Sequence, residues 1–429
     1  MKKSFANTTK NAPSLSKGYI RTPCFAFLLT LALLSGCAGY ESRIAKARAN
    51  FETGQYDQSI TELKSLVERD DNDQLLYLMD LGVVYHTAGQ YDDALKTFHA
   101  ADKLKDLKDF TSVSEQVGSV ILNDEVKAYR PEDFEKILIH VYLAIDYCLL
   151  GKWESALVES RRVNHVLDRM ISEGQLPYDR NAFAKYLAAV SFESRGEWND
   201  AFVDYRMLLK WGKGDYPYLP VGLLRMAASL HATQELEEFR KKYPSVQDYQ
   251  LGNQEGEVIL ILEQGRGPIK VPHPNFRLMP TFQKRFASSD HAVLKTVDGK
   301  RSARSYSLLD IEATAIKDLD HRISGIVAKK VAGVVAKEVI ADQVGKQTKS
   351  KGLGALTSVI LRLTDKADLR HWSTLPASLQ LIRMKLPAGR HKLILDILAR
   401  NGGVQYEKVF ESVEIKPKQI LFLQHRTRE

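Results

Sequence analysis

The sequence predicts an α+β protein: an N-terminal superhelix of helical hairpins, then a β-rich, sandwich-like C-terminal region with one or two helices. Three observations predict it. A Gly-x-aromatic mark recurs four times between residues 54 and 198. After Gly252 the helical periodicity stops, and short β-branched or alternating runs take over between Gly and Pro turns. The charge changes sign at the same place. Residues 37–250 hold 26 basic and 35 acidic side chains, a net of −9, whereas residues 251–429 hold 30 and 18, a net of +12. Three ranges follow: 1–36 as a signal segment, 37–250 as a helical repeat domain and 251–429 as a β-rich domain.

The signal segment is read from its layout. Lys2, Lys3, Lys10, Lys17 and Arg21 precede an apolar run, Phe25 to Leu34, and no acidic residue occurs before Glu41. Basic segment, short apolar core and small residues are the parts of a secretory signal. The run is shorter than the roughly 20 apolar residues a membrane helix needs. It ends in Leu34-Ser35-Gly36-Cys37. These four residues resemble the lipobox of bacterial lipoproteins. The resemblance implies cleavage between Gly36 and Cys37, a diacylglyceryl thioether on Cys37 and acylation of the new amino group, palmitate being the usual acyl chain. Several chains anchor a protein stably, since each buried CH₂ contributes roughly 0.8 kcal/mol. Ala38 stands where an Asp often signals inner-membrane retention in that family, so the resemblance points to the periplasm-facing side of the outer membrane.

The four marks are Gly54-Gln55-Tyr56, Gly89-Gln90-Tyr91, Gly151-Lys152-Trp153 and Gly196-Glu197-Trp198. Five residues after each glycine stands a small residue: Ser59, Ala94, Ala156, Ala201. Seven before stands another: Ala47, Gly82, Ala144, Ala189. The pattern predicts helix–turn–helix hairpins. The glycine ends the first helix in a conformation that only glycine takes cheaply, the aromatic opens the second, and the small residues sit where the helices cross. The second copy, with Leu81, Gly82, Tyr85, Gly89, Tyr91, Ala94, Phe98 and Ala101, resembles the tetratricopeptide repeat. The first copy lies 35 residues before it, close to that repeat's period of about 34. A fifth hairpin is expected over Pro220–Tyr243 without the mark. Residues 111–131 are expected as an irregular helix and loop. Such superhelices bind partners on a concave face. Tyr85, Tyr147, Trp153 and Trp198 are expected as repeat core rather than as a ligand stripe. Arg161 and Arg162 are expected to pair within the molecule.

In the C-terminal half Val258–Leu262 reads as a buried strand and Gly265–Pro268 as a turn. Without a following Gly-Lys-Ser/Thr, that turn is no phosphate loop. Val271-Pro272-His273-Pro274 reads as extended. Residues 323–344 read as an Ala/Val/Gly-rich helix, 346–354 as a break and 355–363 as a second short helix. Strands are expected at Leu379–Met384, His391–Leu398, Val409–Ile415 and Ile420–Gln424.

Chemistry is sparse. There is no His-Glu-x-x-His, no Gly-x-Ser-x-Gly and no zinc-spaced Cys/His cluster. Catalytic, cofactor and metal residues are therefore expected to be absent. Glu263 with Asp310 is the one carboxylate pair named as a glycosidase candidate. His371-Trp372-Ser373, read as a strand, puts neighbours on opposite faces and gives no base–nucleophile pair. Without the signal the chain carries only a +3 charge, which is no nucleic-acid signature. Cys148 lies alone in an apolar helical stretch and reads as a buried thiol.

Gly151–Asn164, Gly256–Lys270 and Ala367–Pro376 together resemble a poorly characterised family of repeat-containing lipoproteins of Gram-negative bacteria. That resemblance implies an architecture and an address. The expected function is a lipid-anchored scaffold binding another envelope protein through its repeats. The alternatives are an accessory to cell-wall or surface-machine assembly, with a basic C-terminal domain touching glycan or lipid, and a wall-cleaving enzyme. Expected partners are an envelope protein, the membrane through Cys37, and peptidoglycan as a further contact.

Overall fold

The computed structural model describes residues 39–115, 128–172, 180–274, 279–324 and 367–427. Cys37, most of the linker at 111–131, nearly all of the helix expected at 323–344 and everything expected at 346–363 lie outside these residues. Before residue 243 the described chain folds as five helical hairpins. They are α1 (Tyr40–Glu52) with α2 (Tyr56–Val67), α3 (Gln74–Thr87) with α4 (Tyr91–Glu115), α5 (Asp133–Leu149) with α6 (Trp153–Ser172), α7 (Ala182–Arg195) with α8 (Trp198–Lys210), and α9 (Leu219–Ser229) with α10 (Thr233–Lys242).

The turns are made as the glycines foretell. Gly54, Gly89, Gly151 and Gly196 have φ of 78, 78, 68 and 76°. The N–H of the following residue returns to the carbonyl five positions back: Gln55 to Asn50, Gln90 to Tyr85, Lys152 to Tyr147 and Glu197 to Phe192, at 2.8–3.0 Å. This is the Schellman closure, which satisfies carbonyls the helix end would leave orphaned. The fifth hairpin uses the same device without glycine. His231 takes φ 55°, and Ala232 N–H reaches the Ala227 carbonyl at 2.9 Å. The small residues lie where the helices cross, since Ala47, Ala94, Ala144, Ala156, Ala189 and Ala201 are buried. Ser59 is buried too and donates its hydroxyl to the Ala47 carbonyl at 2.8 Å. A Cβ on Gly82 would stand 2.4 Å from the Phe98 ring.

The C-terminal half is a sandwich. One sheet has the order β10-β1-β7-β6 and the other β5-β4-β8-β9. The strands are β1 (Glu255–Gln264), β2 (Ile269–Pro272), β3 (Pro280–Gln283), β4 (Ser289–Thr296), β5 (Ser302–Arg304), β6 (Tyr306–Asp310), β7 (Ser378–Pro387), β8 (Gly389–Ala399), β9 (Val404–Ile415) and β10 (Ile420–Arg426). β2 and β3 form a separate hairpin, and residues 311–324 form a helix, α11. β1 pairs antiparallel with β7 and parallel with β10.

The run Val258–Leu262 is apolar throughout because β1 is covered on both faces. Val258, Leu260 and Leu262 join Ile382, Met384, Leu393, Leu395 and Ile397 in the core between the sheets. Glu257, Ile259, Ile261 and Glu263 alternate with them and face the helices. The described residues from 44 onward thus make one compact unit of three layers, helices on sheet on sheet.

Candidate functional site: a buried charged seam between helices and sheet

The first helices of four hairpins, α3, α5, α7 and α9, carry buried polar groups among apolar neighbours, and most of their partners lie on the inner sheet and the segment beside it. At one end Glu193 of α7, Arg225 of α9, Glu257 of β1 and Arg383 of β7 form a quartet, each with 5 % exposure or less. Arg383 Nη2 lies 2.8 Å from Glu193 and 2.6 Å from Glu257. Arg225 Nη1 lies 2.6 and 2.9 Å from the same two carboxylates. Tyr205 donates its hydroxyl to Glu193 at 2.6 Å, and Arg383 also donates to the hydroxyls of Tyr186 and Tyr205. Burial alone would raise the Glu257 carboxyl. The two guanidiniums overcome it and hold Glu257 far below the usual carboxylate range.

In the middle, His86 of α3 lies between two acids. Nδ1 is 2.5 Å from Asp146 of α5 and Nε2 is 2.8 Å from Glu263 of β1, with all three side chains fully buried. Burial opposes charge on the imidazole, yet the two carboxylates raise its pKa to about 10. Glu263 also meets Arg426 of β10 at 2.9 Å, its direct neighbour in the sheet. Against the cost of burial, His86 and Arg426 pull the Glu263 pKa down to about 2.

At the third station the irregular segment 367–376 crosses α3 and α5. Asp80 accepts the Thr374 N–H and hydroxyl at 3.1 and 2.8 Å. Glu135 accepts the Trp372 N–H at 2.8 Å and the Tyr129 hydroxyl at 2.5 Å. Arg370 meets Asp73 at 2.7 Å, and Lys270 meets Glu132 at 2.6 Å. Burial, with Glu132 close by, raises the Glu135 pKa to about 7. Trp372 is core, packed with its ring tilted against Phe98 and Tyr142, although its segment is not the expected strand. Helices and sheet therefore meet at buried pairs to which each side contributes both signs, Arg225 and His86 from the helices against Glu257 and Glu263 of β1, and Glu193 of α7 against Arg383 of β7.

The repeat residues divide between fold and seam. Gly82, Gly89, Ala94, Gly151, Ala156, Gly196 and Ala201 serve turns and crossings. Tyr85 is buried. Tyr91 packs 5.9 Å from the His86 ring, and burial raises its pKa to about 12. Trp153 stacks 5.8 Å from Phe422 of β10, so it belongs to the helix–sheet contact. Trp198 departs from the expected core role. It is 40 % exposed, and its ring lies over the turn, 3.6 Å from where a Cβ on Gly196 would stand. Tyr147 is half-buried and shares a 2.8 Å hydrogen bond with His99. Arg162 lies 3.4 Å from Glu159 and 3.9 Å from Asp102, and Arg161 stands over the Phe192 ring. Both arginines are paired within the molecule, as expected.

The residues named as chemical candidates are engaged in structural contacts. Glu263 is locked by His86 and Arg426, and the Asp310 carboxyl accepts the Ala313 N–H at the start of α11. Burial raises the Cys148 thiol to about 12, so it is no nucleophile. No group of three or more His, Cys, Asp and Glu among the described residues is placed to hold a metal, and no described helix is long and apolar enough to cross a membrane. A cleft bounded by Phe134, Ile137, Leu138, Leu167, Leu309 and Ile311 has no acid, base or thiol on its walls.

The seam was not foreseen from the sequence. Its signal was there: Asp80, His86 and Asp146 interrupt apolar helices, and Glu257 and Glu263 bracket an apolar strand.

No protein-family model matches the chain, and no curated protein matches it. Solved structures that resemble it are repeat proteins over about half its length. MamA AMB-1 is 13 % identical, with a TM-score of 0.31 over 48 % of this chain and 89 % of that one. A tetratricopeptide repeat protein from Parabacteroides merdae is 16 % identical, with 0.33 over 48 % and 66 %. A Podosopora anserina putative kinesin light chain with TPR-like repeats is 13 % identical, with 0.34 over 48 % and 93 %.

Proposed function

We propose that the protein is a non-enzymatic interaction scaffold, lipid-anchored at Cys37 on the periplasm-facing side of the outer membrane, whose partner is another envelope protein. The observation that carries the scaffold reading is the division of the helical surface. The first helices, whose face in such superhelices is the concave one, are already covered by the protein's own sheet through the charged seam. Among the described residues the second helices expose large apolar side chains: Val158 on α6, Trp198 and Val203 on α8. Partner binding is thus assigned to the outer helices, not to the groove that the repeat pattern suggests. The lipid reading rests on Leu34–Cys37 and the basic, acid-free segment before it.

The test is in-cell photo-crosslinking from Trp198, Val203 and Val158, with Asp298 on the β4–β5 turn as control, in the natural chain and in Cys37→Ala. One envelope protein captured from the α6 and α8 positions and not from Asp298, and diminished in Cys37→Ala, is the expected result. No adduct from any outer-helix position sinks the scaffold reading. The intact mass of the purified chain decides the anchor separately: cleavage before residue 37 plus the mass of acyl chains is expected, and an unmodified Cys37 removes it.

A further inference from the structure

Of the large apolar side chains described, Phe286 is the most exposed, at 77 %. It stands on the short connection between β3 and β4, at one end of the sandwich. Arg400, on the β8–β9 turn, holds its guanidinium over the Phe286 ring at 5.5 Å. The two loops are fastened together. Arg400 N–H meets the Ser288 carbonyl at 3.3 Å, and Gln405 donates to the Ser288 hydroxyl at 2.6 Å. Val404, 54 % exposed, leaves the same turn. An aromatic ring is therefore presented outward on a braced support, which a merely tolerated surface Phe does not need.

Cations surround it. Lys284 and Arg285 precede Phe286 directly. Arg285 and Arg266 reach Glu52 at 3.2 and 3.3 Å, and Lys284 reaches Glu312 at 3.3 Å. With Arg400 that is four cations around two carboxylates. Burial, then Arg266 and Arg48 nearby, lower the Arg285 pKa, as crowded positive charge does. Exposed aromatic and aliphatic tips within a basic rim fit a surface that is anionic outside and apolar beneath, which describes a lipid bilayer.

The anchor adds to this. Glu52, which takes Arg266 and Arg285, ends α1. That helix is 13 residues long, about 20 Å, and only residues 38 and 39 lie between it and Cys37. A lipid on Cys37 would tether the chain to the membrane, and a contact too weak to bind alone is then engaged at high effective concentration.

We propose that the loop end bearing Phe286, Val404 and Arg400 is a second membrane contact, which inserts into an anionic lipid surface beside the anchor. The proposal rests on the anchored reading for its biological setting, and its test is made independent of it. Phe286→Cys, in a chain with Cys24→Ser, carries a solvatochromic label, since Cys148 is buried and does not compete. The full chain, with Cys37→Ala, is tethered through histidines inserted at position 37 to vesicles bearing nickel-chelating lipid. In phosphatidylethanolamine–phosphatidylglycerol vesicles the label is expected to blue-shift with roughly two-fold brighter emission and to be quenched by spin-labelled lipid. Phosphatidylcholine vesicles, 0.5 M salt or Arg400→Glu should abolish the change. A label that keeps its water-like emission on tethered, folded chain overturns the proposal. So does one that changes only when envelope proteins are added.

Discussion

Arg383 on β7 and Glu193 on α7 meet at 2.8 Å in the interior, although 190 residues separate them in the chain. A charge pair at that depth fastens the sheet to the helices, and it sets strict terms. Each member is tolerable only because the other is present, since an unpaired charge in a low-dielectric interior is far costlier than the pair.

Removing one partner therefore strands the rest. Arg383→Met leaves Glu193 and Glu257 sharing Arg225 alone, and a loss of about 3–5 kcal/mol is expected. Chemical denaturation checks this. Far-UV signal from the helices and near-UV signal from Trp372 should move together to a lower midpoint, because both halves share the seam.

His86 gives the alkaline limb its shape. Its folded pKa is about 10 against 6.5 when free, so the stability it contributes is fully present below 6.5 and is lost as pH rises toward 10. Denaturation midpoints measured between pH 6 and 10 should fall in the natural chain. In His86→Gln they should start lower and fall less.

Glu263 governs the acid limb. Its pKa drops from 4.5 to about 2 on folding, so its contribution is present above pH 4.5 and fades as pH falls through 2. Glu263→Gln should be destabilised at neutral pH and lose less further stability on acidification. It leaves Arg426 and His86 short of a counter-charge.

Gly82→Ala forces a methyl group into the Phe98 ring, 2.4 Å away. Overpacking of this kind costs about 1–3 kcal/mol. Gly89→Ala is destabilising through its φ of 78° instead, with open space around the new Cβ. Thermal melts of the two variants, each with Phe98→Leu, separate the causes: the smaller side chain should rescue the first and not the second.

Trp198→Ala should change stability by less than about 0.5 kcal/mol, the usual range for an exposed position, while weakening capture of the proposed partner. Equal losses of fold and capture would reassign Trp198 to the core.

The helical hairpins were legible because they rest on local rules. A turn that needs positive φ selects glycine, and a helix crossing selects Ala or Gly at fixed offsets from it. His231 shows the limit: the fifth turn has the same backbone, but a residue that only tolerates positive φ leaves no mark. Strands β1, β7, β8, β9 and β10 were legible from alternation and from the bounding turns, whereas β3 to β6 and α11 were not read from the sequence. The seam was not, because a buried Asp80 or Glu193 announces that a partner exists without naming Thr374 or Arg383 some 190–290 residues away. The filled inner face followed the same way. A repeat pattern reports that a concave surface is built, and long-range pairing alone reports what occupies it.

The parallel pairing of β1 with β10 has a consequence for manufacture. Glu263 and Arg426 are 163 positions apart, and such non-local closure is slow. Five hairpins can form as the chain emerges, yet Asp80 of α3, Glu135 of α5 and Glu193 of α7 lack Thr374, Trp372 and Arg383, and Glu263 lacks Arg426, until the last strands arrive. Through that interval the half-made molecule exposes polar groups, and the apolar face around them, that the finished fold buries. A chain interrupted before residue 420 would remain in that state, and is expected to be a substrate for proteolytic quality control rather than a shorter working protein.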